Sequence, residues 1–547
     1  MHDFFRHRLR LRSPLRLLLA ALSLGAVGCR DQRSMVEQAN TTNTLLLANG
    51  TELADLDPQI VTGSPESRVV LALFEGLVRY DPVTLDPLPG VAESWEIDDD
   101  GVTYTFHLRA DAKWSDGVAV TAHDFVSAFE RILAPAMASE NSEALYFMAG
   151  ATDFNQGLTN DFGTVGCRAI DPRTLEIRAA RPTPFLLRMM SARTWFPVPV
   201  HVLEKHNAMR RKGTVWTRPE NIVGNGPYVL TEWKQNQFLQ VSRSPTYWNR
   251  SEIKLDHIKF FPIESQTSEE AAYRASQLHR TVNVPVNKID TYRRERPDEL
   301  RIAPFSGTYY YSFNTRRPPL DDARVRRALA MAIDRAAITR EITRAGETPA
   351  HRFTPYGVSG YHSTVPGVSI DLEQARKLLA EAGYPGGEGF PSITLLYNTA
   401  ENHRVIAEAV QQMWRRELGV DIQLENQEWK VYLDSIHLGN FDISRNAYIV
   451  APDDPTRFLE STRTGHGFNV AGWSNADYDR LLRAALDEVV PEKRWQIFTA
   501  MEELLFDEMP VAPIYHYTNK YLIRPEVKNW TDNMLNTYPL REVVLEP

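Results

Sequence analysis

Two periods of hydrophobic spacing alternate along the chain. Residues 102–109 (VTYTFHLR) place apolar and polar side chains in strict alternation, as a half-buried strand requires. The acidic run Asp98-Asp99-Asp100-Gly101 just before them is a turn, so a hairpin with residues 94–97 is predicted. Elsewhere the period is 3.6. Leu372, Ala375, Leu378, Leu379 and Ala382 form one stripe, with Asp371 placed to cap it, Gln374 to reach back and Gly383 to end it. Residues 401–418 make a second amphipathic helix closed by Gly419. Residues 323–344 make a third, opened by Asp321 or Asp322 and closed by Gly346. Strand-like and helical segments alternating without an internal repeat predict an α/β chain.

The first residues follow a different pattern. Arg6, Arg8, Arg10, Arg12 and Arg16 precede an apolar run from Leu17 to Val27, too short to span a bilayer as a helix and of the length of a signal-peptide core. The run ends in Ala26-Val27-Gly28-Cys29, which resembles the lipobox of bacterial lipoproteins. That resemblance implies cleavage after residue 28 and acylation of Cys29. The polar segment 30–44 then reads as a tether to a membrane surface. No later stretch is apolar for long enough to cross a membrane.

Composition narrows the function classes. With 547 residues, 43% hydrophobic and 10% aromatic, the chain can bury several cores and is not a disordered one. A formal charge of −9 argues against non-specific nucleic-acid binding. Two cysteines make neither a disulfide framework nor a four-thiolate zinc site, and Cys167 is expected to be buried and inert. The acidic turn is no calcium loop, because the twelfth position counted from Glu96 is His107. Gly224-Asn225-Gly226-Pro227 leads into a strand and reads as a turn, not a phosphate cradle. Neither HExxH, GxSxG nor GxxxxGK[ST] occurs. The residues favour binding over catalysis, with no metal and no cofactor.

Longer segments carry a family resemblance. GVAESW at 90–95, TYTFHLR with DAKWSDG through 117, VTAHDF at 120–125, SPTYWN at 244–249, DARVR at 322–326, ARKLLAEAGY at 375–384 and LENQEWK at 424–430 together resemble the oligopeptide-binding lipoproteins of ABC importers. The resemblance runs in order through the whole chain after the leader. It implies a periplasmic-binding-protein-like fold of class II, two hinged α/β lobes plus an extra inserted lobe. Residues 1–28 would be the signal peptide and 29–44 the tether. Residues 45–74, 199–302 and 515–547 would form lobe I, 75–198 lobe II and 303–514 lobe III. The two chain crossings between lobes I and III would fall near Ala303-Pro304-Phe305 and Ala512-Pro513-Ile514.

The resemblance also implies a site between lobes I and III. An extended peptide offers one N–H and one C=O per residue, which strand edges can pair whatever the side chains are. Asn283, Asn398 and His403 match polar ligand-side positions, and His403 is one that can meet a peptide carboxylate. Trp429 matches a pocket tryptophan, Tyr448 replaces a second one, and Arg445 matches a cleft arginine. Other positions depart from the family. Its acid for the peptide α-amine becomes Ala451, and cleft glutamates become Thr62 and Ser312. A carboxylate-reading lysine becomes Thr343, beside Arg344, and a further arginine becomes Ile436. The ends of a disulfide found in some relatives become Gly307 and Ile449. Two readings follow: Asp453 or Asp454 takes over the amine contact, or the ligand lacks a free α-amine.

The expected function is capture of peptides outside the cytoplasm and their delivery to an ABC permease with its ATPases. The expected receptor is a monomer tethered by lipid to a membrane, without nucleic acid and without chemistry on the ligand. The alternative is a sensor or scavenger of a non-peptide ligand on the same scaffold, such as a blocked or cell-wall peptide, haem or a sugar conjugate.

Overall fold

A computed structural model describes residues 33–449, 454–538 and 540–546. Cys29 with the leader, Ala451 and Asp453 lie outside the described residues. Three sheets of four or more strands organise the rest, and lobe I, lobe II and lobe III are used below as names for the regions built on them. In lobe I, Thr44–Ala48 pairs in parallel with His257–Phe261, followed by Phe238–Arg243 and Tyr228–Lys234. In lobe II an antiparallel sheet runs in the order Ala92–Ile97, Thr103–Leu108, Thr174–Arg178, Cys167–Asp171. In lobe III six strands run in the order Thr348–Pro349, Val511–Leu522, Leu300–Phe313, Ile443–Ile449, Thr394–Asn398, Gln423–Gln427.

The local patterns account for the elements. Tyr104, Phe106 and Leu108 are buried, and the Asp100 carboxylate accepts the Val102 and Thr103 N–H groups, closing the hairpin. The helix Leu372–Glu381 is capped by Asp371, whose Oδ1 accepts the Gln374 N–H at 3.0 Å. The helix Glu401–Leu418 ends at Gly419, which sits at φ +70°, where a Cβ would come 2.2 Å from the Gly386 oxygen. Cys167 is a free, buried thiol that burial pushes up to about 12, so it is inert at neutral pH.

Two expectations are corrected. The segment 323–344 is not one helix. Ala323–Met331 stops, Asp334 recaps the chain by accepting the Ala337 N–H, and Ile338–Thr343 continues with π-type bonding. The buried Arg335 guanidinium takes the Ala330, Ile333 and Pro513 carbonyls, which stabilises the break. The polar segment 30–44 is not a free tether along its length. Ser34 and Glu37 form a capping box on Met35–Thr41, and Val36 and Ala39 are buried with Leu46.

The strands expected to cross between lobes pair with one another. Leu300–Phe313 and Val511–Leu522 pair antiparallel from Leu300↔Leu522, next to lobe I, to Ser312↔Val511, inside lobe III. Their register shifts between Pro304↔Thr518 and Thr308↔His516, so the ladder is interrupted there. A second shift, between Tyr309↔Tyr515 and Tyr310↔Pro513, skips Ile514, so the pairing is irregular both at 513–515 and at 516–518. Ala512 and Pro513 pair with Tyr311 and Tyr310 within the lobe III sheet.

Candidate ligand cleft

The strand Ile443–Ile449 separates two environments, because successive side chains point to opposite faces. Arg445 lies opposite Tyr311, on the face that carries Tyr309, Tyr311 and Phe313. Tyr448 lies opposite Thr308, on the other. Arg445 and Tyr448 thus do not share one pocket wall.

On the first face, Arg445 is 8% exposed. Its Nη1 donates to Asn398 Oδ1 at 3.3 Å, its Nη2 to the Tyr517 hydroxyl at 3.0 Å, and its guanidinium lies 4.5 Å from the centre of the Tyr309 ring. Its Nε has no partner, and no carboxylate lies within ion-pair distance among the described residues. Burial works against the charge, yet the oxygens of Tyr309, Tyr517 and Tyr515 outweigh it and hold the group above the usual arginine value. His403, in the first turn of Glu401–Leu418, sits 3.5 Å from the Tyr309 hydroxyl. Burial, then the neighbouring Arg445 charge, pushes its imidazole down to about 3, so it is neutral. Asn398, His403 and Arg445 therefore meet in one place.

The aromatic floor beneath them was not anticipated. Tyr309 stacks on Tyr515 with centroids 4.7 Å apart, and Tyr515 meets Tyr517 edge-on at 5.2 Å. The signal was present in the alternate tyrosines of the two crossing strands. Trp429 is 50% exposed at the rim, stacked on Tyr432, whose hydroxyl donates to the Arg445 carbonyl.

On the second face Tyr448 is packed among Tyr310, Phe353 and Phe458 and meets Phe468 edge-on at 5.2 Å. It borders a cleft of about 910 Å³ between lobes II and III, walled by Phe147, Arg193, Arg457 and Phe468 among others. Asp454 is 1% exposed and faces inward. Its Oδ1 accepts the Thr456 N–H and caps the helix Pro455–Glu460, and both oxygens accept from Arg494 at 2.8 and 3.0 Å. It is committed to the core and is no contact for a ligand amine. Asn283 is exposed in lobe I, away from this group, with its N–H on Glu269. Gly307 and Ile449 do face one another across the sheet. Arg344 is paired with Asp290 at 2.6 Å. No group of three or more His, Cys, Asp or Glu able to hold a metal occurs among the described residues.

Lobes joined by a pair of crossing strands, with a buried cation on one face of the strand between them, have the build of a hinged solute receptor. The family described as bacterial extracellular solute-binding proteins, family 5 Middle, matches residues 86–469, and the chain belongs to it. It is 36% identical over 533 residues to the periplasmic oligopeptide-binding protein OppA of Escherichia coli, covering 95% of this chain and 96% of that one. Among solved structures it is similar to the periplasmic murein tripeptide-binding protein MppA in its unliganded open form. That match has 36% identity, covers 92% of this chain and 97% of the other, and has a TM-score of 0.82. Another structure of the murein tripeptide-binding protein MppA, from Escherichia coli, covers 92% and 98% at 36% identity, with a TM-score of 0.74.

Proposed function

We propose that this chain is the substrate-binding component of an ABC importer. In this reading it captures short peptides between lobes I and III outside the cytoplasm and passes them unchanged to a permease with its ATPases. The observation that supports it most is Arg445. A guanidinium held in a buried aromatic setting, with amide and hydroxyl neighbours and no carboxylate among the described residues, is short of one negative charge. A peptide carboxylate supplies that charge, bonded by Nε and the Nη groups, while the neutral His403 can donate one ring N–H. Closure then removes water and strengthens the pair. Main-chain groups of the peptide are left to strand edges and to bridging water, which makes the receptor tolerant of side chains. The names of the relatives, oligopeptide-binding and murein tripeptide-binding proteins, support the same reading. On it the receptor acts as a periplasmic monomer, held to the membrane by an acylated Cys29.

A ligand without a free α-amine is the second reading. It is favoured by the capture of Asp454 by Arg494, which removes one of the two candidate acids for the amine. Asp453 is the other. Native mass spectrometry of freshly purified protein tests both. A ladder of free peptide masses is expected from the first reading, and blocked peptides from the second. One defined non-peptide mass would overturn the proposal.

A further inference from the structure

A second group of uncompensated cations lies in lobe I. The helix Ser64–Leu73 begins after Gly63, which offers no side-chain cap, and carries Ser64, Ser67 and Arg68 toward a cavity of about 160 Å³. Arg280 forms part of the opposite wall. It is 2% exposed and packed against the rings of Tyr521, Trp530 and Tyr538 at 3.9, 4.5 and 4.4 Å, with Nη2 donating to the Tyr538 hydroxyl at 2.5 Å. Its Nε is buried without a partner. Arg68 is half-buried and donates only to the Asn49 carbonyl and side-chain oxygens, both at 3.3 Å. Neither guanidinium has a carboxylate within 4.0 Å among the described residues.

The nearby acids are engaged elsewhere. Glu269 accepts the Val282 and Asn283 N–H groups, and burial raises its carboxyl to about 7, so its counter-charge is incomplete. Glu66 turns to the Ala54 N–H at 3.3 Å. Burial first, and the Arg280 charge to a lesser degree, depress Arg68, and the two guanidiniums line one cavity with two serines and a helix start that lacks a side-chain cap.

The position of the cavity says what fills it. Phe305, in the interrupted stretch of the crossing strand, lines it. That stretch runs opposite Tyr517, the partner of Arg445. The cavity therefore borders the hinge on the lobe I side, as Arg445 does on the lobe III side. At about 160 Å³ it is smaller than the roughly 300 Å³ at which whole-ligand pockets begin, so it holds one side group and not a peptide. We infer that this cavity is an anion subsite, receiving a second carboxylate of the bound peptide on Arg68 and Arg280. This rests on the peptide reading above and sharpens it: the preferred cargo is an acidic peptide.

The test is calorimetric titration of the full receptor with tetra-alanine peptides carrying a single Glu or Gln at each position in turn. At one position Glu should bind about ten-fold or more tighter than Gln, since charged hydrogen bonds are being compared with neutral ones. That ratio should collapse in Arg68→Gln, return in part in Arg68→Lys, and survive in Arg445→Gln, which weakens both members of the pair. Flat ratios at every position, or a ratio abolished by Arg445→Gln and kept by Arg68→Gln, overturn the inference and leave the peptide reading standing. Binding of none of the peptides overturns both. Thermal stabilisation of the ligand-free protein by sulfate that is lost in Arg68→Gln, together with flat ratios, would mean a free inorganic anion and would also overturn it.

Discussion

Arg445 and Arg494 are both buried arginines in lobe III, and they differ in one respect. Arg494 is closed by Asp454, with two short contacts and an added bond to the Ala485 carbonyl. Arg445 has amides, hydroxyls and ring faces around it, and no carboxylate among the described residues. A buried ion pair that is complete holds the fold, and removing one partner strands the other charge. On the peptide reading proposed above, a buried cation without a carboxylate is where an anion from outside would sit.

The largest effect should come from the closed pair. Asp454→Ala should destabilise the fold by about 3–5 kcal/mol, read by denaturant unfolding, since Arg494 is left unpaired and the helix Pro455–Glu460 loses its cap. The surviving folded protein should still bind peptide. Arg445→Gln should do the reverse. Peptide affinity should fall by about two orders of magnitude while stability falls by less than in Asp454→Ala, because no carboxylate is stranded. An Arg445→Gln protein that unfolds early yet binds normally would erase the contrast.

Protonation provides a third and smaller difference. His403 has its folded value at about 3, below the unfolded one near 6.5, so the unfolded state takes up the proton first. Its contribution to stability is therefore complete above about pH 6.5 and is lost as pH falls toward 3. A bound carboxylate raises the His403 value, so peptide binding should be coupled to little proton uptake at pH 7 and to more near pH 5. Calorimetry in buffers of different ionisation enthalpy measures this, and equal uptake at both values would remove His403 from the ligand's surroundings. The smallest effect belongs to Trp429. Its replacement by Ala should weaken binding only several-fold and cost about 1 kcal/mol or less of stability, since it is half exposed and rests on Tyr432 alone.

What the sequence revealed was local. The hairpin at 98–101, the Asp371 cap and the helix closed by Gly419 each follow from a few adjacent residues. The division of labour within 443–449 was also legible in principle: an odd separation in a strand puts Arg445 and Tyr448 on opposite faces. The Asp454–Arg494 pair was not legible, because its partners lie on different helices and only the packing of 455–460 against 491–508 brings them together. The same holds for the second crossing. Proline at 513 suggested a connector, and Pro513 lies at a paired position beside one register shift, with another at 516–518. Arg68 and Arg280 are more than two hundred residues apart and meet only because Arg280 bridges Leu47 and Ile523.

One comparison bears most directly on the claim that Arg445 waits for a ligand carboxylate. Affinities for a tight-binding peptide and for its C-terminal amide should be measured with the wild-type protein and with Arg445→Gln. The account predicts that amidation weakens wild-type binding by about ten-fold or more and leaves the variant nearly indifferent. Equal wild-type affinity for acid and amide, or an equal loss in both proteins, would contradict it.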